Sequence, residues 1–216
     1  MLGRWFKKPI WPEISFEEIK KRSRLLVVDD IDFPYQALFT RDGYTIERWP
    51  DVLDLPKLES GAYDIVLLDL QGVGREHSSE QGLGILKHLR HVAPAQVIIA
   101  YSNADWPLKY QEFFLLADAV LSKTSDYVDF KRKVDDLLSQ RFSLGFYLSR
   151  IHHIIGPNIA DGEQLDRLVK GSIVSHSTEK LHDFLQSHGV EVQVVNATIN
   201  VVLIAVKLVS LWKGQP

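Results

Sequence analysis

The chain predicts an α/β domain with a five-stranded, doubly wound parallel sheet, followed by a small all-helical segment. Five short β-rich runs, LLVVDD (25–30), YTIERW (44–49), DIVLLDL (64–70), QVIIAYS (96–102) and DAVLSK (118–123), alternate with amphipathic stretches. The first, third and fourth runs are almost continuously apolar, as strands covered by helices on both faces must be. Beyond residue 140 the pattern turns to helical spacing. Such β-α alternation gives a sheet whose ligands bind outside the carboxyl ends of the strands, here positions 29–32, 69–75, 102–104 and 123–125.

The elements follow in order. Residues 13–22 form a lead-in helix, because Ser15 and Glu18 have capping-box spacing and Phe16 and Ile19 share a face. Helices are expected at 33–41, at 52–60 with an interruption at Pro56, at 82–92, at 106–116 and at 126–140. The domains are therefore a lead-in at 1–24, the sheet domain at 25–140 and a helical segment at 141–216. Within that segment, helices are expected up to Gly156, at 163–174 and at 178–188. Residues 190–212, VEVQVVNATINVVLIAVKLVSLW, are long enough to cross a bilayer. Gln193, Asn196, Asn200, Lys207 and Ser210 nevertheless recur at helical spacing, and Lys207 is costly inside a membrane. A bundle of three or four helices completed by a second subunit is the preferred architecture. A single membrane helix is the alternative, and the valine-rich start also permits a strand.

Composition sets outer limits. At 216 residues, with 45% apolar and 25% charged side chains, disorder and fibres are excluded. There is no cysteine, so disulfides, thiolate zinc sites and cysteine nucleophiles are excluded, and a reducing compartment, the cytoplasm, is expected. The start, MLGRWFKK, lacks the apolar core of a secretory signal. A net charge of −3 covers an uneven distribution: residues 1–24 carry seven Lys/Arg against three Glu, and residues 25–144 carry twelve against nineteen acidic residues. No dense basic face exists to neutralise phosphates, which argues against nucleic acid as a partner.

The chemistry sits at strand ends. Asp29 and Asp30 close the first run and Asp69 lies at the end of the third, so adjacent first and third strands bring three carboxylates together. Bare carboxylates repel; a hard divalent cation such as Mg²⁺ makes their proximity favourable. Ser102 ends the fourth run and Lys123 the fifth, adding a hydroxyl and an ammonium at the same edge.

Taken in order, LLVVDD, DIVLLDL, VIIAYS and VLSK resemble the receiver domain of two-component response regulators, a flavodoxin-like fold, over residues 25–140. The resemblance implies that Asp69 is the phosphoacceptor, taking a phosphoryl group from a phosphohistidine of a sensor histidine kinase or phosphotransfer protein, or from a small phosphodonor. It implies Asp30 and Asp69 as direct Mg²⁺ ligands, Asp29 acting through water, and the backbone carbonyl of Gln71 completing the set. Ser102 and Lys123 would each bind a phosphoryl oxygen. Catalysis would then be confined to self-phosphorylation and dephosphorylation, with a homodimer or a downstream protein partner as output. The alternative is a receiver-like interaction or membrane-recruitment scaffold independent of phosphorylation.

The sequence departs from the family at four points. The segment after Asp69, QGVGREHSSEQG (71–82), is long and glycine-rich, which suggests a mobile cover. Asn103 follows Ser102 where a small residue is usual, Thr124 follows Lys123 in place of Pro, and Val120 stands where many members carry an aromatic switch residue. Elsewhere, His152 and His153 lack an acidic neighbour in sequence, and His176, His182 and His188 make no metal pattern; packing or surface roles are expected. Trp5, Phe6 and Trp11 lie among basic residues, but Pro9 and Pro12 preclude a long amphipathic helix, so packing on the sheet domain is expected.

Overall fold

The computed structural model describes residues 10–102, 115–156, 159 and 161–213. Ser15–Phe142 form one compact unit; the described residues up to Ile14 join those from Ser143 onward in a second.

The first unit is built on five parallel strands, β1 (Arg24–Val28), β2 (Thr45–Trp49), β3 (Ile65–Asp69), β4 (Val97–Ser102) and β5 (Ala119–Ser122), ordered β2-β1-β3-β4-β5. Four fall within the predicted runs, and β1 begins one residue before its run, at Arg24. The helices are α1 (Phe16–Arg22), α2 (Gln36–Arg41), α3 (Leu55–Glu59), α4 (Gly82–Val92) and α5 (Tyr127–Arg141). Most of the predicted 106–116 helix lies outside the described residues, as does Asn103. Burial explains the apolar runs: Leu26, Val27, Val28, Val66, Leu67, Leu68, Ile98, Ile99 and Ala100 have no accessible surface.

Caps fix the helix starts. Ser15 caps α1 by accepting from the backbone N–H of Glu18 at 3.3 Å, the Ser half of the expected capping box, and its hydroxyl donates to the Glu18 carboxylate at 3.1 Å. Pro56 does not interrupt a helix: it occupies the first turn of α3, where its missing N–H costs nothing, and Asp54 caps that turn by accepting from Lys57 N at 2.9 Å. In α5, Asp126 caps and Phe130, Val134, Leu137, Leu138 and Arg141 form the buried face. Arg141, 4% exposed, donates to Asp64 Oδ1 at 3.0 Å and to the Ala95 carbonyl at 3.1 Å, locking the end of α5 to the loops that precede β3 and β4.

The second unit contains α6 (Leu144–Ile155), α7 (Gly162–Ser175), α8 (Glu179–Ser187) and α9 (Val192–Lys213). The valine-rich start of α9 is helical from Val192, so the strand reading is wrong; α6, α7 and α8 all pack on this helix. Val195, Thr198, Val201, Val202, Ala205, Leu208 and Val209 form its buried face, and Thr198 satisfies its hydroxyl by donating to the Val194 carbonyl at 2.8 Å. Gln193, Asn196, Lys207 and Ser210 lie on the exposed side with Leu203. Val192–Trp212 is also long and apolar enough, at a mean hydropathy of 2.0, to cross a membrane. Trp11 packs on Tyr147 of α6, ring centroids 5.4 Å apart, in this unit and not on the sheet domain as its sequence context suggested. Trp5 and Phe6 lie outside the described residues. His152 has the acidic partner its sequence lacks, Asp166 of α7 at 2.8 Å, and His188 packs on Phe184.

Candidate functional site

The parallel register places the ends of β1 and β3 side by side, with Val28 opposite Leu68, so the residues leaving both strands converge. Asp29 and Asp69 are 3% and 2% exposed, and Asp30 is exposed at the rim. Each offers an oxygen to a cluster in which the three ligand atoms lie within 4.8 Å of one another.

Lys123, one residue beyond β5, reaches into this cluster. Its Nζ donates to Asp69 Oδ2 at 2.7 Å and to Asp29 Oδ1 at 3.0 Å, while its backbone N–H donates to the Ser102 carbonyl at 2.9 Å. Ser102 is 6% exposed and stands opposite Ser122 across the β4–β5 pair. The five predicted side chains therefore share one edge: Asp29, Asp69 and Lys123 are in direct contact, Asp30 completes the acidic cluster, and Ser102 is tied in through its backbone. Gln71, exposed, begins the loop after β3, and its N–H donates to Asp69 Oδ1 at 3.3 Å.

Burial raises the affinity of Asp69 for a proton above the usual carboxylate range; the Lys123 ammonium pulls the other way, and the neighbouring Asp29 adds to the rise. For Lys123, burial favours the neutral amine, but the bonds to Asp69 and Asp29 outweigh it and hold the ammonium above its ordinary range. Asp69 shifts upward because its burial outweighs the ammonium, and Lys123 shifts upward because two carboxylates outweigh its own burial.

Several determinants escaped the sequence reading. Gly72 has φ +87°, and a Cβ there would lie 2.3 Å from Asp30 Oδ2, so the Asp30 carboxylate occupies the space a side chain would fill. A Cβ on Gly82 would meet the Asp69 carbonyl oxygen at 2.0 Å, which lets the first turn of α4 pack directly on the end of β3. Arg48 closes the other side, donating to the carbonyls of Asp29 at 3.1 Å and Ile31 at 3.2 Å. The 71–82 loop was expected to be a loose cover, but it is tied at both ends: Gly72 N donates to Gln81 Oε1 at 2.9 Å, Gly74 N donates to Asp51, and Val73 is fully buried. A depression of about 530 Å³ lies over it, lined by Gln71, Gly72, Arg75, Ser79 and Gln81 among others. Thr124 N donates to Ser122 Oγ at 3.1 Å and the two hydroxyls lie 2.7 Å apart, which closes the turn after β5.

Tyr101 was missed altogether. It is buried on β4, and its hydroxyl donates to Asp29 Oδ2 at 2.5 Å, with the Lys123 ammonium 5.4 Å from its ring centre. Burial, then the Asp29 carboxylate, push this hydroxyl far above the usual tyrosine range. The available signal was a hydroxylated aromatic in an otherwise aliphatic strand.

An all-parallel sheet in the order β2-β1-β3-β4-β5, with the acidic cluster at the β1/β3 switch point, decides the architecture. Ser15–Phe142 have a flavodoxin-like, doubly wound fold. Solved receiver domains are accordingly what this unit resembles. The CheY-like receiver domain protein of Methanospirillum hungatei is 22% identical, the match covering 55% of this chain and 95% of that one, with a TM-score of 0.45. The response regulator TrrA of Thermotoga maritima, solved in complex with Mg²⁺-BeF, is 26% identical over 53% and 98%, with a TM-score of 0.43. NtrX of Brucella abortus, solved with ATP, is 16% identical over 70% of this chain and 34% of its own, with a TM-score of 0.46. No protein-family model and no curated protein matches the sequence.

The donor set of this sheet unit fits a hard cation. Three carboxylates supply oxygen only, Gly72 leaves room for one of them, and 4.8 Å is a span that a cation with ligands at about 2.0–2.6 Å bridges directly or through water.

Proposed function

We propose that this chain is a phosphorylation switch of the response-regulator type, with Asp69 as phosphoacceptor. The observation that carries the reading is the Asp69 carboxylate itself: buried at the end of β3, held by Lys123 Nζ at 2.7 Å, and grouped with Asp29 and Asp30. In-line phosphoryl transfer needs an aligned nucleophile and positive charge where the equatorial oxygens gain negative charge. An Asp69 oxygen attacks phosphorus as the bond to the donor's leaving group breaks. The leaving group, an imidazole of a sensor histidine kinase or phosphotransfer protein or the acid of a small acyl phosphate, departs with the electron pair.

Lys123 then follows the charge from the carboxylate to a phosphoryl oxygen, and the Ser102 hydroxyl, close by at the end of β4, donates to another. Mg²⁺, held by Asp30, Asp69 and the Gln71 carbonyl with Asp29 acting through water, would supply the remaining positive charge. The chain's own chemistry is acceptance and hydrolysis of this one group. Its output, in the cytoplasm, is protein contact through the helical unit, to a second copy of the chain or a downstream partner.

The test is incubation with acetyl phosphate and Mg²⁺ followed by intact mass measurement, alongside beryllofluoride binding. One phosphoryl adduct per chain, lost in Asp69→Asn while the fold is retained, is expected. Labelling that survives in Asp69→Asn would mean another nucleophile. Failure of both adduct and analogue binding would leave the phosphorylation-independent scaffold, with membrane recruitment through Val192–Trp212 as its output.

A further inference from the structure

The geometry points to Tyr101 as a positioning residue that limits the share of Asp29 available to the cation of the acidic cluster, an inference that rests on the cation site proposed above. Asp29 is the most heavily committed of the three carboxylates. Its Oδ1 accepts from Ile31 N at 2.9 Å and from Lys123 Nζ at 3.0 Å, and its Oδ2 accepts from the Tyr101 hydroxyl at 2.5 Å. A carboxylate has about four lone-pair sites, so three donors leave little for a cation or its water. Each donor also withdraws charge from the oxygens and makes them weaker ligands. Of these three donors Ile31 N belongs to the backbone and Lys123 is shared with Asp69, which leaves Tyr101 as the side chain committed to Asp29 alone.

The phenol cannot point elsewhere. Tyr101 stands opposite Asp69 in the β3–β4 register, is 2% exposed, and meets Phe33 and Phe130 edge-on at 6.1 and 6.0 Å. Those rings carry the consequence outward. Phe130 lies on α5; Tyr35 packs on both Phe33 and Phe130, and its hydroxyl donates to the carbonyl of Ser125, two residues beyond Lys123, at 2.9 Å. A cation that draws Asp29 toward itself therefore pulls on a ring seated against α5. β5 places Leu121 opposite Tyr101, and leucine has no polar atom with which to make such a bond.

The experiment is Mg²⁺ titration of the full chain by calorimetry, wild type against Tyr101→Phe, with the Tyr101 ring carbon bearing the hydroxyl followed by NMR. Tyr101→Phe removes one hydrogen bond to a charged acceptor and nothing else, and is expected to bind Mg²⁺ roughly tenfold more tightly. In the wild type, the phenol resonance is expected to move in step with Mg²⁺ saturation. Equal or weaker binding by Tyr101→Phe overturns the inference while leaving the cation site standing. If the variant does not fold, the wild-type resonance decides alone: no movement on saturation overturns it. Absence of Mg²⁺ binding by the wild type at millimolar concentration overturns the cation site and this inference together.

Discussion

Replacing Lys123 with Met tests the charge balance of the site directly. Methionine keeps most of the side chain's length and apolar stem, so packing changes little, but Asp29 and Asp69 lose their common counter-charge. Their side chains are 4% and 3% exposed and the ammonium is 16% exposed, so water cannot replace it. Removing one partner of a buried ion pair leaves an uncompensated charge and typically costs about 3–5 kcal/mol. Here Asp69 already favours protonation through burial and takes up a proton to escape part of that cost, which points to the lower end, about 3 kcal/mol, near neutral pH. The same loss makes the cluster a stronger cation site. Urea unfolding in EDTA should therefore show Lys123→Met about 3 kcal/mol less stable than wild type, and 10-fold excess Mg²⁺ over its dissociation constant should recover about 1.4 kcal/mol of it. A loss below about 1 kcal/mol in EDTA would show that Asp29 and Asp69 are not jointly buried against this ammonium. A Mg²⁺ effect no larger than in wild type at the same Mg²⁺ concentration would refute the argument that ammonium and cation serve the same carboxylates.

Gly72→Ala places a methyl group where the Asp30 carboxylate lies and strains a positive φ; Mg²⁺ affinity should fall at least tenfold with a stability loss of about 1–2 kcal/mol, read by calorimetry and urea unfolding. The Tyr63 hydroxyl, donating at 2.7 Å, holds the Glu47 carboxylate below its ordinary value of 4.5, with Trp49 and Lys57 assisting. Because the folded value is depressed, this stabilisation is present above the unfolded value and lost as pH falls through the folded one; Tyr63→Phe should raise the Glu47 midpoint in an NMR titration, and an unchanged midpoint would contradict the assignment. In α9, Val202→Asp buries a charge at a position with no accessible surface and should unfold the helical unit, whereas Leu203→Lys, at 50% exposed, should leave its thermal transition within about 3 °C of wild type. A large loss from Leu203→Lys would mean that this side of α9 is covered in the native assembly.

How far the sequence reveals the fold depends on whether a signal is local or produced by tertiary contact. The five strands are legible because continuous burial demands continuous apolar residues, and Ser15 with Glu18 marks a helix start because both halves of the cap lie within four residues. Asp29, Asp30, Asp69, Ser102 and Lys123 are legible because topology alone brings the carboxyl ends of parallel strands together. Pro56 misleads because a proline within a helix and one in its first turn look alike without the Asp54 cap. Trp11 misleads because aromatic residues declare that they pack, not on what. Tyr101 and Gly72 are invisible for a third reason: their roles lie in a single atom or its absence, a hydroxyl aimed at Asp29 and a missing Cβ beneath Asp30, and neither leaves a period or a motif.

If Asp69 accepts a phosphoryl group as proposed, the closed arrangement of the site has a defined way to respond. Two buried carboxylates, Asp29 and Asp69, share one ammonium while Asp30 stands at the solvent-exposed rim, so the free cluster carries an excess of negative charge that water reaches only from one side. Such an arrangement has two ways to relieve itself without unfolding: Asp69 takes a proton, or a cation enters. Each satisfies the same oxygens, so each changes the donors left for Asp29, and Asp29 is bonded to a ring that packs on α5. Adding a phosphoryl group to Asp69 replaces one carboxylate charge by about −1.5 to −2, by analogy with phosphoserine, spread over three acceptor oxygens. Lys123 cannot serve that group and keep both of its present bonds at full strength. The redistribution must fall on Asp29, because Asp30 is already open to solvent and can rehydrate at little cost, whereas Asp29 can only tighten its grip on Ile31 N and Tyr101. The same burial that makes the free site electrostatically costly therefore determines the direction in which a change at Asp69 is passed on.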